Sequence, residues 1–255
     1  MRKGPVVLLS AGLAAVLGLL LGPRLLPAPR QARRHPMLYY LALPHGWSPA
    51  HTWPILVVVD GANHGHFLWN FLRFRKARHA LPFILVAPLV VTNTGHPDPQ
   101  ASPYSPAVWT RIAQEGAAQF DATGVLAIVD EVRQTYHGQD KFFLTGWSAG
   151  GHLAWQLIFI HPERLAGAVL AAPNFAGRGV TQVSQAPGRT TLPITVLQGD
   201  HDPLQPALTE QWERAYHLAA SHGYTKVVRE HIAGAGHSPF PAQVFATLAP
   251  LVAER

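Results

Sequence analysis

The chain has 255 residues, with 20 Lys and Arg against 14 Asp and Glu, and a formal net charge of +6. Charged residues make up 13% and hydrophobic residues 48%, which excludes a disordered chain and suits one large domain with a substantial core. Cysteine is absent, so disulfides, thiolate metal sites and a cysteine nucleophile are excluded.

The basic excess is confined to one end. Arg2, Lys3, Arg24, Arg30, Arg33 and Arg34 all precede the first acid, Asp60. The rest of the chain carries as many anions as cations. A basic face is the footprint of a phosphate binder, but this excess sits in a leader, so no nucleic-acid partner is expected.

Residues 1–36 read as an N-terminal signal or anchor followed by a basic linker, and 37–255 as the folded domain. Two cations precede an uncharged apolar run, Pro5 to Gly22, in the n-region and h-region layout of an export signal. The run is close to the shortest length that spans a membrane. Gly22 and Ala28 are each followed by Pro, so no cleavage site is clean. An uncleaved membrane anchor through residues 5–22 is expected, with the domain on the periplasmic or extracellular side. The arginines on both flanks leave the orientation open. Pro23 to Pro36 reads as a Pro-containing linker.

From residue 37 onwards, short apolar runs alternate with helical stretches, as in an α/β fold. Strands are expected at Met37–Leu43, Pro54–Asp60 and Leu81–Ala87. The second is almost wholly apolar, as in a strand buried on both faces. The stretch Leu89 to Thr110 reads as a long loop, a length often functional. Asp121 is the expected N-cap of a helix reaching Tyr136. Lys141–Thr145 is a strand, and Ala149–Ile160 a helix closed by His161-Pro162. Strands follow at Ala166–Ala171, Ile194–Gln198 and Thr225–Glu230, with helices at Leu208–Ser221 and Ala242–Val252. This order implies a doubly wound, mostly parallel sheet flanked by helices, with ligand sites at the carboxyl ends of the strands.

Chemistry concentrates at those ends. Gly146-Trp147-Ser148-Ala149-Gly150-Gly151 lies between a strand and a helix, the context that G-x-S-x-G requires. A serine on so tight a turn has an exposed hydroxyl, and the helix N-terminus behind it favours developing negative charge. A serine hydroxyl needs a general base oriented by an acid. The strand ITVLQ runs into Gly199-Asp200-His201-Asp202-Pro203, which offers two carboxylates. After the last strand comes Gly234-Ala235-Gly236-His237-Ser238, a flexible loop able to place an imidazole over the strand ends.

These stretches, with PILVVVDGANHG, HPERLAGAVLAAPN and LQGDHDPLQP, resemble the α/β-hydrolase superfamily. Within it the chain is similar to the esterase and polyhydroxyalkanoate-depolymerase-like group, from Met37 to Ala253. The resemblance implies a serine hydrolase without a cofactor, acting on a carboxylic ester. It implies Ser148 as nucleophile, His237 as base and Asp202 as acid, with Asp200 the alternative. The oxyanion hole would come from the backbone amides of Ala149 and Ala62. The family usually reads His-Gly before that second donor, whereas this chain reads Asp60-Gly61.

Asn63, His64, Trp147, Asn174 and Phe175 are candidates for the substrate pocket, with Trp147 equally suited to packing beneath the turn. His64-Gly65-His66 lacks a third ligand at suitable spacing, so no metal is expected. Only Ala172 to Pro193 separate two consecutive strands, too few for a helical cap. An open cleft would suit a bulky or polymeric ester. A peptidase or acyltransferase built on the same triad is the alternative, followed by a non-catalytic binding protein on this fold.

Overall fold

The computed structural model describes residues 27–62, 67–93, 99 and 102–253. The proposed anchor at 5–22 and the pocket candidates Asn63 and His64 lie outside the described residues. Among the described residues, no helix is long and apolar enough to cross a membrane.

In chain order the elements are β1 (Arg30–Gln31), β2 (Leu38–Ala42), β3 (Ile55–Val59), α1 (Phe67–Ala77), β4 (Ile84–Pro88), α2 (Pro106–Glu115), α3 (Ala117–Tyr136) and β5 (Phe142–Gly146). They continue with α4 (Gly151–Ile160), β6 (Leu165–Ala171), β7 (Ile194–Gly199), α5 (Gln205–Ser221), β8 (Val227–Ile232) and α6 (Pro241–Ala253). The strands form one eight-stranded sheet in the order β1-β2-β4-β3-β5-β6-β7-β8. β1 and β2 are antiparallel to their neighbours, and every pairing from β4 to β8 is parallel. This is the α/β-hydrolase architecture.

The central strands β3 to β7 are buried at every position because both faces are covered. Ile55, Val57 and Val59 of β3 join one core with Ile128, Val129 and Val132 of α3 and Leu153 and Leu157 of α4. Leu56 and Val58 point to the opposite core, with Phe71 and Phe74 of α1 and Val244, Phe245 and Leu248 of α6. The two-residue side-chain period of a strand thus divides the molecule into two apolar layers.

Three sequence expectations are corrected. The helix expected to begin at Asp121 begins at Ala117, behind a break at Gly116 with φ +84°. Asp121 is therefore not its cap: it lies inside the helix, facing inward and fully buried. The long loop after β4 ends early, because Ser105 caps α2 by accepting from the Val108 amide, with Pro106 in the first turn.

Lastly, residues 30–36 are part of the domain rather than a free linker. β1 pairs with Leu38 and Tyr39, and Ala32 and His35 are buried. The His35 ring packs on Phe120, and its Nδ1 accepts from the Met37 amide at 3.2 Å. Burial, then the nearby Arg111, lowers His35 to about 4.

Candidate active site

The chain runs from β3 to β4 on one side and then returns to β5 on the other side of β3. Such a reversal opens a crevice at the carboxyl ends of the two diverging strands. Gly61 follows β3 and Ser148 follows β5, so both line this crevice. A Cβ placed on Gly61 would lie 3.0 Å from the Trp147 ring and 3.3 Å from Ser148 Cβ. The two turns meet so closely that a side chain at Gly61 would fit only if its neighbours gave by a few tenths of an ångström.

Ser148 has φ +50°, a left-handed conformation that costs a non-glycine residue on the order of 1–3 kcal/mol. It opens a 3₁₀ turn, Ser148–Gly150, that leads directly into α4. Gly150 is required there by close approach: a Cβ would come within 2.5 Å of the Asp60 carbonyl oxygen. The Ala149 amide sits in the first turn of this helical run, where backbone donors lack helical acceptors. Among the described residues, no acceptor takes the Ala62 amide, whereas the Gly61 amide donates to Asp60 Oδ1 at 2.8 Å. The departure from His to Asp at residue 60 thus occupies the first amide of the turn and leaves the second.

Across the crevice, the loops after β7 and β8 are tied together. The His201 amide donates to the Ala235 carbonyl at 2.9 Å, and the Asp200 amide to Ile232 at 3.2 Å. This brings His237 Nδ1 to 2.8 Å from Asp202 Oδ2. The Asp202 side chain is 0% exposed and that of His237 18%. Asp202 is satisfied on its other sides by Gln198 Nε2, at 2.9 Å from Oδ2, and by the Leu204 amide, at 2.8 Å from Oδ1. Asp200 is exposed. Of the two carboxylates in the loop, Asp202 is the one that reaches the imidazole.

Trp147 is partly buried, its ring 5.6 Å from the His237 ring and tilted by 39°. It packs between Gly61 and His237, so it bridges the two sides of the crevice. Asn174 touches the serine directly. Its Oδ1 accepts from Ser148 Oγ at 3.5 Å and its amide donates to the Ser148 carbonyl at 2.8 Å. Phe175 is buried against Trp155 and Phe159.

Sequence reasoning misses four residues that act on this region. Gln198 orients Asp202. Gln211 of α5 accepts from Asn174 Nδ2 at 3.2 Å and from the Phe175 amide at 2.7 Å. Asn93, after β4, donates from Nδ2 to the Gly61 carbonyl at 2.6 Å. Asp121 accepts from the backbone before Asn93. Gln198 carries one usable signal, an amide at the end of a mostly apolar strand. The other three lie far from the motif in sequence and carry none.

His152, in the first turn of α4, is lowered to about 4 by burial and then by Arg178. It is therefore neutral at physiological pH.

No family model and no curated protein matches the sequence. Among solved structures, the chain is similar to a candidate dienelactone hydrolase from Klebsiella pneumoniae, at 17% identity and TM-score 0.60, covering 88% of this chain and 97% of that one. It is similar to an S-formylglutathione hydrolase from Agrobacterium tumefaciens, at 16% identity and TM-score 0.61, covering 89% and 94%. It is also similar to poly(aspartic acid) hydrolase-1 from Sphingomonas sp. KT-1, at 14% identity and TM-score 0.59, covering 86% and 96%. At these identities the likeness is one of fold, and function has to rest on the site itself.

Proposed function

We propose that the protein is a serine hydrolase that cleaves carboxylic esters through an acyl-enzyme intermediate. The observation that carries this reading is the 2.8 Å contact between His237 Nδ1 and the buried Asp202 carboxylate, beyond the same carboxyl ends of the strands as a serine held at positive φ. A carboxylate on Nδ1 keeps the proton there and leaves Nε2 as the basic nitrogen.

In acylation, Ser148 Oγ attacks the ester carbonyl and His237 Nε2 takes the hydroxyl proton. The tetrahedral oxyanion lies against the Ala62 and Ala149 amides. Its collapse breaks the bond to the alcohol, which leaves with the proton from His237. In deacylation, water gives its proton to His237 and attacks the acyl carbon. Ser148 then leaves and recovers its proton. Asp202 stays ionised throughout and stabilises the imidazolium.

The connection between β6 and β7 contains only the short turn Pro187–Thr190. This supports access for bulky or polymeric esters. The apolar run at residues 5–22 supports export or membrane attachment of the enzyme, which protease accessibility on intact cells would test.

The enzymatic test is a panel of p-nitrophenyl esters of graded acyl length, a polyester film and a peptide, with Ser148→Ala alongside and a fluorophosphonate as active-site label. Ester turnover and labelling that both vanish in Ser148→Ala are expected. Unchanged turnover in that variant, or cleavage of the peptide in preference to every ester, would overturn the reading.

A further inference from the structure

The turn that offers the Ala62 amide is held from behind by groups that never meet the substrate. Gly61 is pinned at both ends: its N–H donates to Asp60 Oδ1 at 2.8 Å, and its carbonyl accepts from Asn93 Nδ2 at 2.6 Å. In a trans peptide the C=O and the following N–H point in opposite directions. Fixing the Gly61 carbonyl on Asn93 therefore fixes where the Ala62 N–H points.

Asn93 is itself completely buried, at the end of a run from Leu89 to Asn93 that is buried throughout. This run follows β4, and the Leu89 amide donates to Leu38. Side chains also anchor its backbone. Asp121, fully buried in α3, accepts from the Val91 amide at 2.9 Å, from the Thr92 amide at 2.7 Å and from Thr92 Oγ1 at 2.6 Å. The Tyr104 hydroxyl donates to the Leu89 carbonyl. A fully buried carboxyl is expensive unless several donors meet it, and here all three donors come from the two residues just before Asn93.

We propose that Asn93 is a positioning residue of the oxyanion hole, orienting the Gly61–Ala62 peptide, and that Asp121 acts through it by anchoring the segment that carries Asn93. The inference rests on the ester-hydrolase reading of Ser148. Oxyanion donors matter only as the tetrahedral state forms, so disturbing them should lower kcat and leave KM nearly alone.

The test compares Asn93→Ala, Asp121→Asn and the double variant with the parent on one p-nitrophenyl ester, with fluorophosphonate labelling rates and urea unfolding of each. Asn93→Ala should lower kcat by about 10- to 100-fold, the scale of a displaced rather than a lost oxyanion donor, with KM changed less than about threefold and labelling slowed in parallel. Asp121→Asn should do the same to a smaller degree. The double variant should match Asn93→Ala rather than multiply the two effects, because one residue acts through the other.

Single variants that lose stability but keep the parent kcat would overturn the proposal, and so would fully multiplicative effects for the Asp121 half of it. If Asp121→Asn does not fold, Thr92→Val removes one of the three donors at similar shape. A fall in kcat of about threefold at constant KM is then expected, and an unchanged kcat overturns the role of Asp121. Failure of the underlying reading is separately visible, since a parent enzyme that the fluorophosphonate does not label has no nucleophile for the hole to serve.

Discussion

The two sides of the crevice are built in different ways. On the acid–base side, Asp202 and His237 sit on the loops after adjacent strands β7 and β8, and a few backbone hydrogen bonds between those loops bring them together. On the oxyanion side, the turn after β3 relies on Asn93 from the loop after β4 and, behind it, on Asp121 from the interior of α3. The first side is assembled from neighbours within short motifs. The second depends on side chains tens of residues away whose own neighbours give no hint of the task. The proposed catalytic groups are thus local, while the groups proposed to aim the backbone are not.

The sharpest way to break this comparison is at the acid–base side. Asp202→Asn should lower kcat by about 10³- to 10⁴-fold, because the wrong imidazole tautomer is then favoured, while Asp200→Asn should stay within about twofold of the parent, as exposed carboxylates away from the reacting groups do. Equal losses in the two variants, measured as kcat on one ester, would remove Asp202 from its place.

On the oxyanion side, Gly61→Ala forces a methyl against the Trp147 ring and Ser148 Cβ. A loss of about 10- to 100-fold in kcat is expected from a displacement of this kind. A parent-like kcat in Gly61→Ala would mean that the turn has slack, and the two sides would then differ less than their hydrogen bonds suggest.

Gln198→Met keeps the volume of a buried side chain but deletes the donor to Asp202 Oδ2. A fall of about three- to tenfold in kcat is expected for one hydrogen bond to a charged group. The effect should be smaller than that of Asp202→Asn, since the Leu204 amide still holds the other oxygen.

The smallest effects concern stability against pH. Burial lowers His35 and His152 from 6.5 to about 4. Between those values the unfolded chain binds protons that the folded chain refuses. The stability tied to these two rings is complete above 6.5 and is lost as the pH falls towards 4. Asp121 has the opposite sign: burial raises it from 3.8 to about 7, so its contribution is complete below 3.8 and is lost as the pH rises through 7. Urea unfolding between pH 4 and 6.5 should show stability rising with pH. The rise should be steeper in Asp121→Asn and shallower in His35→Gln. The reverse ordering would mean that these groups titrate otherwise.

Much of the fold and part of the site are legible in the amino-acid sequence. The uninterrupted apolar runs Pro54–Asp60 and Ala166–Ala171 announce strands covered on both faces, and G-x-S-x-G between a strand and a helix marks the turn at Ser148. Asp121 misleads because an acidic residue before an apolar periodic stretch reads as a helix cap. Nothing local says that the helix starts at Ala117 and that the carboxyl faces inward. The packing of Phe175 on Trp155 and Phe159 is hidden for a related reason, since a position after a strand does not say which way its side chain turns.

Periodicity, composition and spacing therefore determined the central strands, most of the flanking helices and the turn that carries Ser148, because these follow from patterns within a dozen residues. Only the tertiary structure decided that Asp202 rather than Asp200 meets His237, and that Asn93 and Asp121 stand behind the Gly61 turn. Those outcomes depend on which buried polar groups come within hydrogen-bond distance once strands distant in sequence are stacked side by side, and a buried donor or acceptor must be paired by whatever the packing brings to it.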